Sequence, residues 1–449
     1  MRKVLFLAYG GGHINSLIPI IKELYKEDSC EELEVCAIGI NLAAETLREN
    51  RIACKTLSCY MDEEILEIGH PLALRFHNFN STVSYADSIA YYGFSMKDLI
   101  NNLGKDKAYK VFNIYDRRLM LPIESMKKIL EKEKPDVVVV TTMHRFEAAT
   151  ILAAKELGIP SIKIEDLVGN VQMPFPDKIQ VKDQEEYDQM ISRGFLSKQL
   201  VIESDLNEPD IKAYREKVYK IYLDMQPTRI CVLNSFVKDK LIKDGKVPES
   251  IIVTGQPSFD RLKQYVDIDK NYYIKKLGLN PGKPIFSFMS QPLGDREDTL
   301  RKIITGLKEM PNIQFIIKLH PNEDGKVQRM ILEEMNYNAV IVKEICAPII
   351  SKISTVTSTV SSTTGLEAAC LDTNLVYFNF SNKPDFVPYQ DMGVGIRIER
   401  IEDIKPILES VISGTEFAKD IAHNRKEFTE SLGMASKNVV EVIKEIIGE

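Results

Sequence analysis

No stretch of the chain approaches the roughly 20 consecutive apolar residues of a membrane-spanning helix. A spanning segment is therefore not expected, and peripheral membrane contact, which stays open, would need a surface patch. Secretory leader chemistry is missing too. Met1-Arg2-Lys3 is followed by only six apolar-leaning residues before Gly10, too few for a signal-peptide core. Cysteine is scarce: seven residues in 449, odd in number and never spaced C-x-x-C, a pattern that argues against both a disulfide framework and structural zinc. Nor is there an excess of positive charge. With 58 basic against 65 acidic residues and a formal charge of -7, no broad basic face is available to follow a phosphate backbone, and nucleic acid is not an expected partner. These absences imply a cytoplasmic globular protein.

What is present fits that reading. Apolar residues make up 44% and charged residues 27% of the chain, ordinary for a folded protein, and the length accommodates two domains. Val4 to Ala8 is an apolar run ended by Gly10-Gly11-Gly12-His13 and followed by Leu17, Ile18, Ile20, Ile21 and Leu24 at helical spacing, which predicts strand, glycine turn, helix. Further strands are predicted at 34–39, 53–57, 136–141 and 161–164, with helices between them, the alternation that builds parallel sheets. Aromatic-rich sequence from about 61 to 134 reads as a helical insertion, and 178–224 as a charged helical stretch. The pattern restarts at Arg229 and repeats through strands near 251–254, 285–289, 314–318, 340–342, 355–357 and 375–378, before a helical tail from Ile404 to Glu449. The expected fold is α/β, two Rossmann-like domains with parallel sheets facing across a cleft. They divide as 1–226 and 227–449.

Three segments carry candidate chemistry. Glycines between a strand and a helix let a ligand phosphate or sugar approach the backbone and the helix N-terminus, so Gly11 and Gly12 are candidates for ligand binding and His13 for a general base. A tight turn with no ligand is the plain alternative. Lys318 and His320, two apart at the end of a strand, share a face while the strand lasts, and Pro321 restricts the backbone of the histidine. Ser358 to Thr364 carries a hydroxyl at every position except Val360. Such a helix start offers free N–H groups, a favourable dipole and extra donors to an anion, which makes Ser361, Ser362 and Thr363 candidates, while Glu367 either caps the helix or accepts from ribose hydroxyls. His144, Arg145 and Glu147, after the strand at 136–141, are candidates facing the cleft from the first domain.

Together these segments resemble sugar-nucleotide enzymes of the glycosyltransferase-B architecture. AYGGGHINSLIPIIKEL resembles the first loop and helix of that superfamily. KLHPNE and SSTTGLEAACLDTNLVYF resemble the His-Pro and Ser-Ser/Thr motifs of bacterial capsule-type transferases, which grip the donor's phosphate and nucleotide. A second resemblance is to UDP-N-acetylglucosamine 2-epimerases. It is carried by VVVVTTMHRFEAATILAAKELGIPSIKIEDL, with Glu165 where those enzymes have a catalytic glutamate, and by SIIVTGQPSFDRL, similar to their TGN-x-x-x-D turn. The chain departs from them at Thr141-Thr142-Met143, where they have Gly-Asp-Thr, and at Met289-Ser290-Gln291-Pro292, where they have Thr-x-His-Arg; Gln291 is retained as a donor-binding candidate.

The resemblance implies a glycosyltransferase that needs no cofactor and no metal, with a nucleotide-sugar as substrate held mainly on the 227–449 side and reached by Gly11 and Gly12, and a glycan or small molecule as acceptor on the 1–226 side, near His144, Arg145 and Glu147. His13 or Glu165 would remove the acceptor proton. The alternatives are a nucleotide-sugar epimerase or hydrolase, and a non-catalytic nucleotide-sugar binding protein. The nucleotide base, the sugar, the acceptor and the oligomeric state are not fixed by these motifs.

Overall fold

The computed structural model describes residues 1–26, 33–142, 145–165, 178–192, 196, 199–381, 384–415 and 425–448. They form two compact units, Met1–Ser258 with Ser436–Glu449, and Phe259–Ala435. Among the described residues no helix is long and apolar enough to cross a membrane.

The first unit is built on strands β1 (Arg2–Tyr9), β2 (Leu33–Ile40), β3 (Val137–Val140) and β4 (Ser161–Ile164), a separate pair β5 (Ile179–Val181) and β6 (Leu200–Ile202), then β7 (Arg229–Val232) and β8 (Ile251–Val253). Six of them make one sheet in the order β2-β1-β3-β4-β7-β8, and every pairing is parallel. Parallel strands are covered on both faces and so read as unbroken apolar runs. Val4 to Ala8 and Val137 to Val140 are accordingly fully buried. The insertion contains helices Glu63–Phe76, Tyr85–Leu103, Lys105–Tyr115 and Ile123–Glu133. Asp62 and Ser84 cap the first two by accepting from the amides of Ile65 and Asp87.

The second unit holds β9 (Ile285–Met289), β10 (Gln314–Lys318), β11 (Val340–Val342), β12 (Val356–Thr359), β13 (Asn374–Phe378) and β14 (Ile396–Ile398). They form an all-parallel sheet in the order β11-β10-β9-β12-β13-β14, the doubly wound order of a dinucleotide-binding fold. Phe286, Phe288, Phe315 and Phe378 fill its core.

Four sequence expectations are corrected. The strand expected at 53–57 is a single bridge, Ile38 to Lys55. Lys55 exchanges hydrogen bonds with Ala37 and Gly39 at 2.9 Å each, and the chain then tightens into the 3-10 turn Leu57–Tyr60 before a second pair can form. The stretch 178–224 is not wholly helical, because β5 and β6 interrupt it. The boundary at 226/227 lies too early: β7 pairs with the free edge of β4 and β8 with β7, so both extend the first sheet. The tail also divides. Helix Ala435–Ile447 buries Val439, Val440 and Ile443 in the first unit's core, while helix Ile404–Ser413 buries Ile404, Leu408 and Val411 in the second's.

Candidate functional site

In a parallel sheet the ligand crevice opens where the strand order reverses, at the carboxyl ends of the two strands that flank the reversal. In the first unit these are β1 and β3. After β1, Gly11 takes φ +85°, a backbone glycine adopts readily, and a Cβ added at Gly11 or Gly12 would meet nothing within 4 Å. Backbone is thus presented to open space, with half-buried His13 directly before helix Ile14–Leu24. After β3, Glu147 is fully buried. Its carboxylate accepts from the amides of Thr141 (3.1 Å) and Thr142 (3.2 Å), from Thr141 Oγ1 (2.8 Å) and from Thr142 Oγ1. Burial raises its pKa; the two threonines and the charge of His13 pull the other way. His13 and Glu147 therefore lie within electrostatic reach of each other across the reversal point. Arg145 stands beside them in left-handed backbone, φ +52°, its guanidinium 5.7 Å from the centre of the Tyr9 ring. Burial opposes its charge, but Tyr91 and Tyr9 outweigh that and hold it ionised beyond its ordinary range.

In the second unit the reversal falls between β9 and β12. Gln291, just past β9, places Oε1 at the gap, where it accepts from the Ser361 amide at 2.9 Å and from Thr359 Oγ1 at 3.3 Å. Ser362 caps helix Thr363–Cys370 through Thr364 N at 3.3 Å. Tyr389 donates its hydroxyl to Ser362 O, and its ring lies where a Cβ on Gly365 would sit, 2.6 Å from Cε1. Thr364 Oγ1 is buried with no hydrogen-bond partner among the described residues. Beyond β10, Glu323 accepts from His320 N (2.9 Å), Ser290 Oγ (3.0 Å) and Gln328 Nε2 (2.8 Å), which fixes the loop carrying the histidine. His320 Nδ1 accepts from Asn322 N at 3.2 Å, so the proton of the neutral ring sits on Nε2.

No family model matches the chain. A curated relative, the processive diacylglycerol beta-glucosyltransferase of Bacillus subtilis (strain 168), is 20% identical over 238 residues, 52% of this chain and 60% of that protein. The match thus spans about 60% of the relative's length. Solved structures match over nearly the whole chain. The UDP-GlcNAc 2-epimerase of Neisseria meningitidis bound to UDP-GlcNAc is 16% identical, with TM-score 0.57 and coverage of 99% of this chain and 100% of that one. The calicheamicin glycosyltransferase CalG4 is 12% identical, with TM-score 0.56 and coverage of 100% and 99%. The S. aureus MnaA–UDP structure is 14% identical, with TM-score 0.55 and coverage of 100% and 97%. The chain has the glycosyltransferase-B fold.

Within this glycosyltransferase-B fold the sequence candidates separate into those at a reversal point and those that are not. Gly11, Gly12, His13 and Arg145 gather at that of the first unit, Gln291, Ser361, Ser362 and Thr363 at that of the second; His320 and Pro321 follow the adjacent β10. Lys318 does not reach out beside His320. It is 8% exposed, and its ammonium donates to Leu319 O (2.9 Å) and Lys343 O (3.0 Å), because the strand ends at Lys318 and the shared face ends with it. Glu147 cannot touch an acceptor, since its carboxylate is spent on the end of β3. Glu165 is 3% exposed and paired with buried Lys163 at 2.5 Å. Glu367, 7% exposed, is paired with Arg261, and burial raises its pKa against that pairing. His144 lies outside the described residues. The motif search missed Glu323 and Tyr389. Glu323 had a signal in its position three residues after His320; Tyr389, far along the chain, had none.

Proposed function

We propose that the protein transfers a sugar from a nucleotide-activated donor to an acceptor, with the donor on the second unit, the acceptor on the first and His13 as general base. The observation that carries this is the nearness of His13, on the open glycine turn, to the charge of buried Glu147. A carboxylate close enough to stabilise the imidazolium favours a proton-abstracting histidine.

In the transfer step the acceptor oxygen bonds to the anomeric carbon and its proton passes to His13. The bond from that carbon to the phosphate oxygen breaks, and the nucleotide leaves with the electron pair. Charge developing on the leaving phosphate is met by the amides and hydroxyls of Ser361 to Thr363, by the helix dipole and by His320 Nε2–H. Lys318 and Glu165, both committed inside the protein, take no part. Neighbours that bind UDP or UDP-GlcNAc support a nucleotide-sugar ligand. The epimerase alternative lacks a free carboxylate at the end of β3, where Thr141 and Thr142 are instead tied to Glu147.

The test is nucleotide release from UDP-, GDP-, CDP- and CMP-sugars, with and without glycan and lipid acceptors. Transfer predicts release that depends on acceptor and falls about 100-fold or more in His13→Ala. Rapid acceptor-independent release, or binding with no turnover under any condition, would overturn it in favour of the hydrolase or the binding protein.

A further inference from the structure

The insertion of the first unit walls a cavity of about 720 Å³ whose charged lining, among the described residues, is Arg75, Arg117, Arg118, Arg145 and Lys178 against Asp116. Low-dielectric walls strengthen the field of such a set. The crowding registers in Lys178, whose pKa is lowered first by burial and further by Arg75, with Asp116 opposing both. The carboxylate of Asp116 is already shared, since its Oδ2 accepts from Arg117 Nε at 3.4 Å. Asp116 and Arg145 both hold positive φ, +52° each, a strained backbone of the kind that clusters at ligand sites.

Guanidinium groups match phosphate oxygens in pairs, and four of the five cations are arginines. The volume falls within the range of small-molecule sites and far exceeds one phosphate. Phe76, Phe112 and Tyr187 supply the apolar part of the wall; near the end of helix Glu63–Phe76, Leu74 is 63% exposed, and Phe79, in the turn just past it, is 70% exposed. Arg145 connects the cavity to the β1/β3 reversal point, where its guanidinium covers Tyr9.

We propose that this cavity binds a phosphate- or pyrophosphate-bearing ligand, and that the transferase's acceptor is therefore an anion. The word acceptor rests on the reading of the preceding subsection; the anion site does not. The phosphate belongs either to a soluble phosphorylated compound or to a lipid headgroup whose chain lies along Leu74 and Phe79.

The experiment titrates inorganic pyrophosphate into the full chain by calorimetry, alongside Arg75→Glu and Arg117→Ala, with thermal unfolding and nucleotide binding measured on each. Arg75 is exposed, so its reversal leaves the fold intact; Arg117→Ala is the second variant. The expected result is a pyrophosphate Kd raised tenfold or more in both, at unchanged nucleotide affinity, and weakened by salt. No binding, or binding that both variants leave unaltered, overturns the proposal. Flotation with phosphatidic acid vesicles that is lost in Arg75→Glu assigns the phosphate to a lipid, and pyrophosphate binding without flotation assigns it to a soluble ligand. Should no nucleotide bind while pyrophosphate does, the transferase reading falls and the anion site stands.

Discussion

Glu133 is 6% exposed and gathers Lys3 (2.9 Å), Lys55 (2.7 Å) and the hydroxyl of Tyr60 (2.9 Å) around one carboxylate. Burial alone would raise its pKa, but the bonds from Lys55, Lys3 and Tyr60 outweigh it and bring the value down from 4.5 to about 2. A carboxyl depressed on folding stabilises above its unfolded pKa, and that stability is lost as pH falls through the folded one. With Lys55 half exposed, the contribution at neutral pH is about 2 to 3 kcal/mol. Denaturant unfolding should show Glu133→Gln less stable than wild type by that amount at pH 7, with less than half the gap left at pH 3; a gap independent of pH would contradict the assignment. Glu165 makes a contrasting case. Removing one member of a buried pair leaves the other charge uncompensated, at about 3 to 5 kcal/mol, so Glu165→Gln should lower the unfolding midpoint sharply yet keep the turnover of its folded fraction. Turnover lost at unchanged stability would instead restore Glu165 as the base.

Helices Glu63–Phe76 and Tyr85–Leu103 approach so closely that a Cβ at Gly69 would come within 2.0 Å of Ile89 O, and one at Gly93 within 2.3 Å of Ile65 O. Neither glycine has positive φ; contact alone requires them. Gly69→Ala should therefore cost about 1 to 3 kcal/mol by overpacking, whereas Leu66→Ala on the exposed face of the same helix should stay within about 0.5 kcal/mol. Because that helix ends in Arg75 and Phe76, Gly69→Ala should also weaken pyrophosphate binding where Leu66→Ala does not. At this scale sequence patterning reads well where burial is complete on both faces, as in Val137 to Val140, and unevenly where a strand is three residues long: β8 and β11 are expected from their apolar runs, whereas β5, β6 and β14 are not, and Ala53 to Leu57 has strand composition but pairs at one residue. The site divides in the same way. Glycines and clustered hydroxyls announce themselves locally, whereas the commitment of Lys318 to Lys343 O, of Glu165 to Lys163 and of Glu147 to the end of β3 depends on where other segments arrive.

The division of the chain was the least legible feature, because a buried strand such as Arg229–Val232 reads alike whichever sheet it joins. What the sequence does contain is the aspartate of its TGQPSFD turn. Asp260 Oδ1 accepts from the amides of Gly433 (3.0 Å) and Ala435 (3.1 Å), so the points where the chain enters and leaves the second unit are held side by side. Each unit also closes its own core: Phe286, Phe288, Phe315 and Phe378 in one, and in the other Val439, Val440 and Ile443 returning to pack with Val4, Phe6 and Val139. A unit with adjacent ends and its own core can be excised without stretching what remains. Joining Ser258 to Ser436 through a short Gly-Ser linker should leave a chain that unfolds cooperatively in urea and retains pyrophosphate binding. Residues 259–435 alone should fold and carry the nucleotide response, a stabilisation of about 2.7 kcal/mol at ligand near 100 times its dissociation constant. Nucleotide stabilisation that followed the shortened chain instead would reverse the assignment of donor and acceptor to the two units.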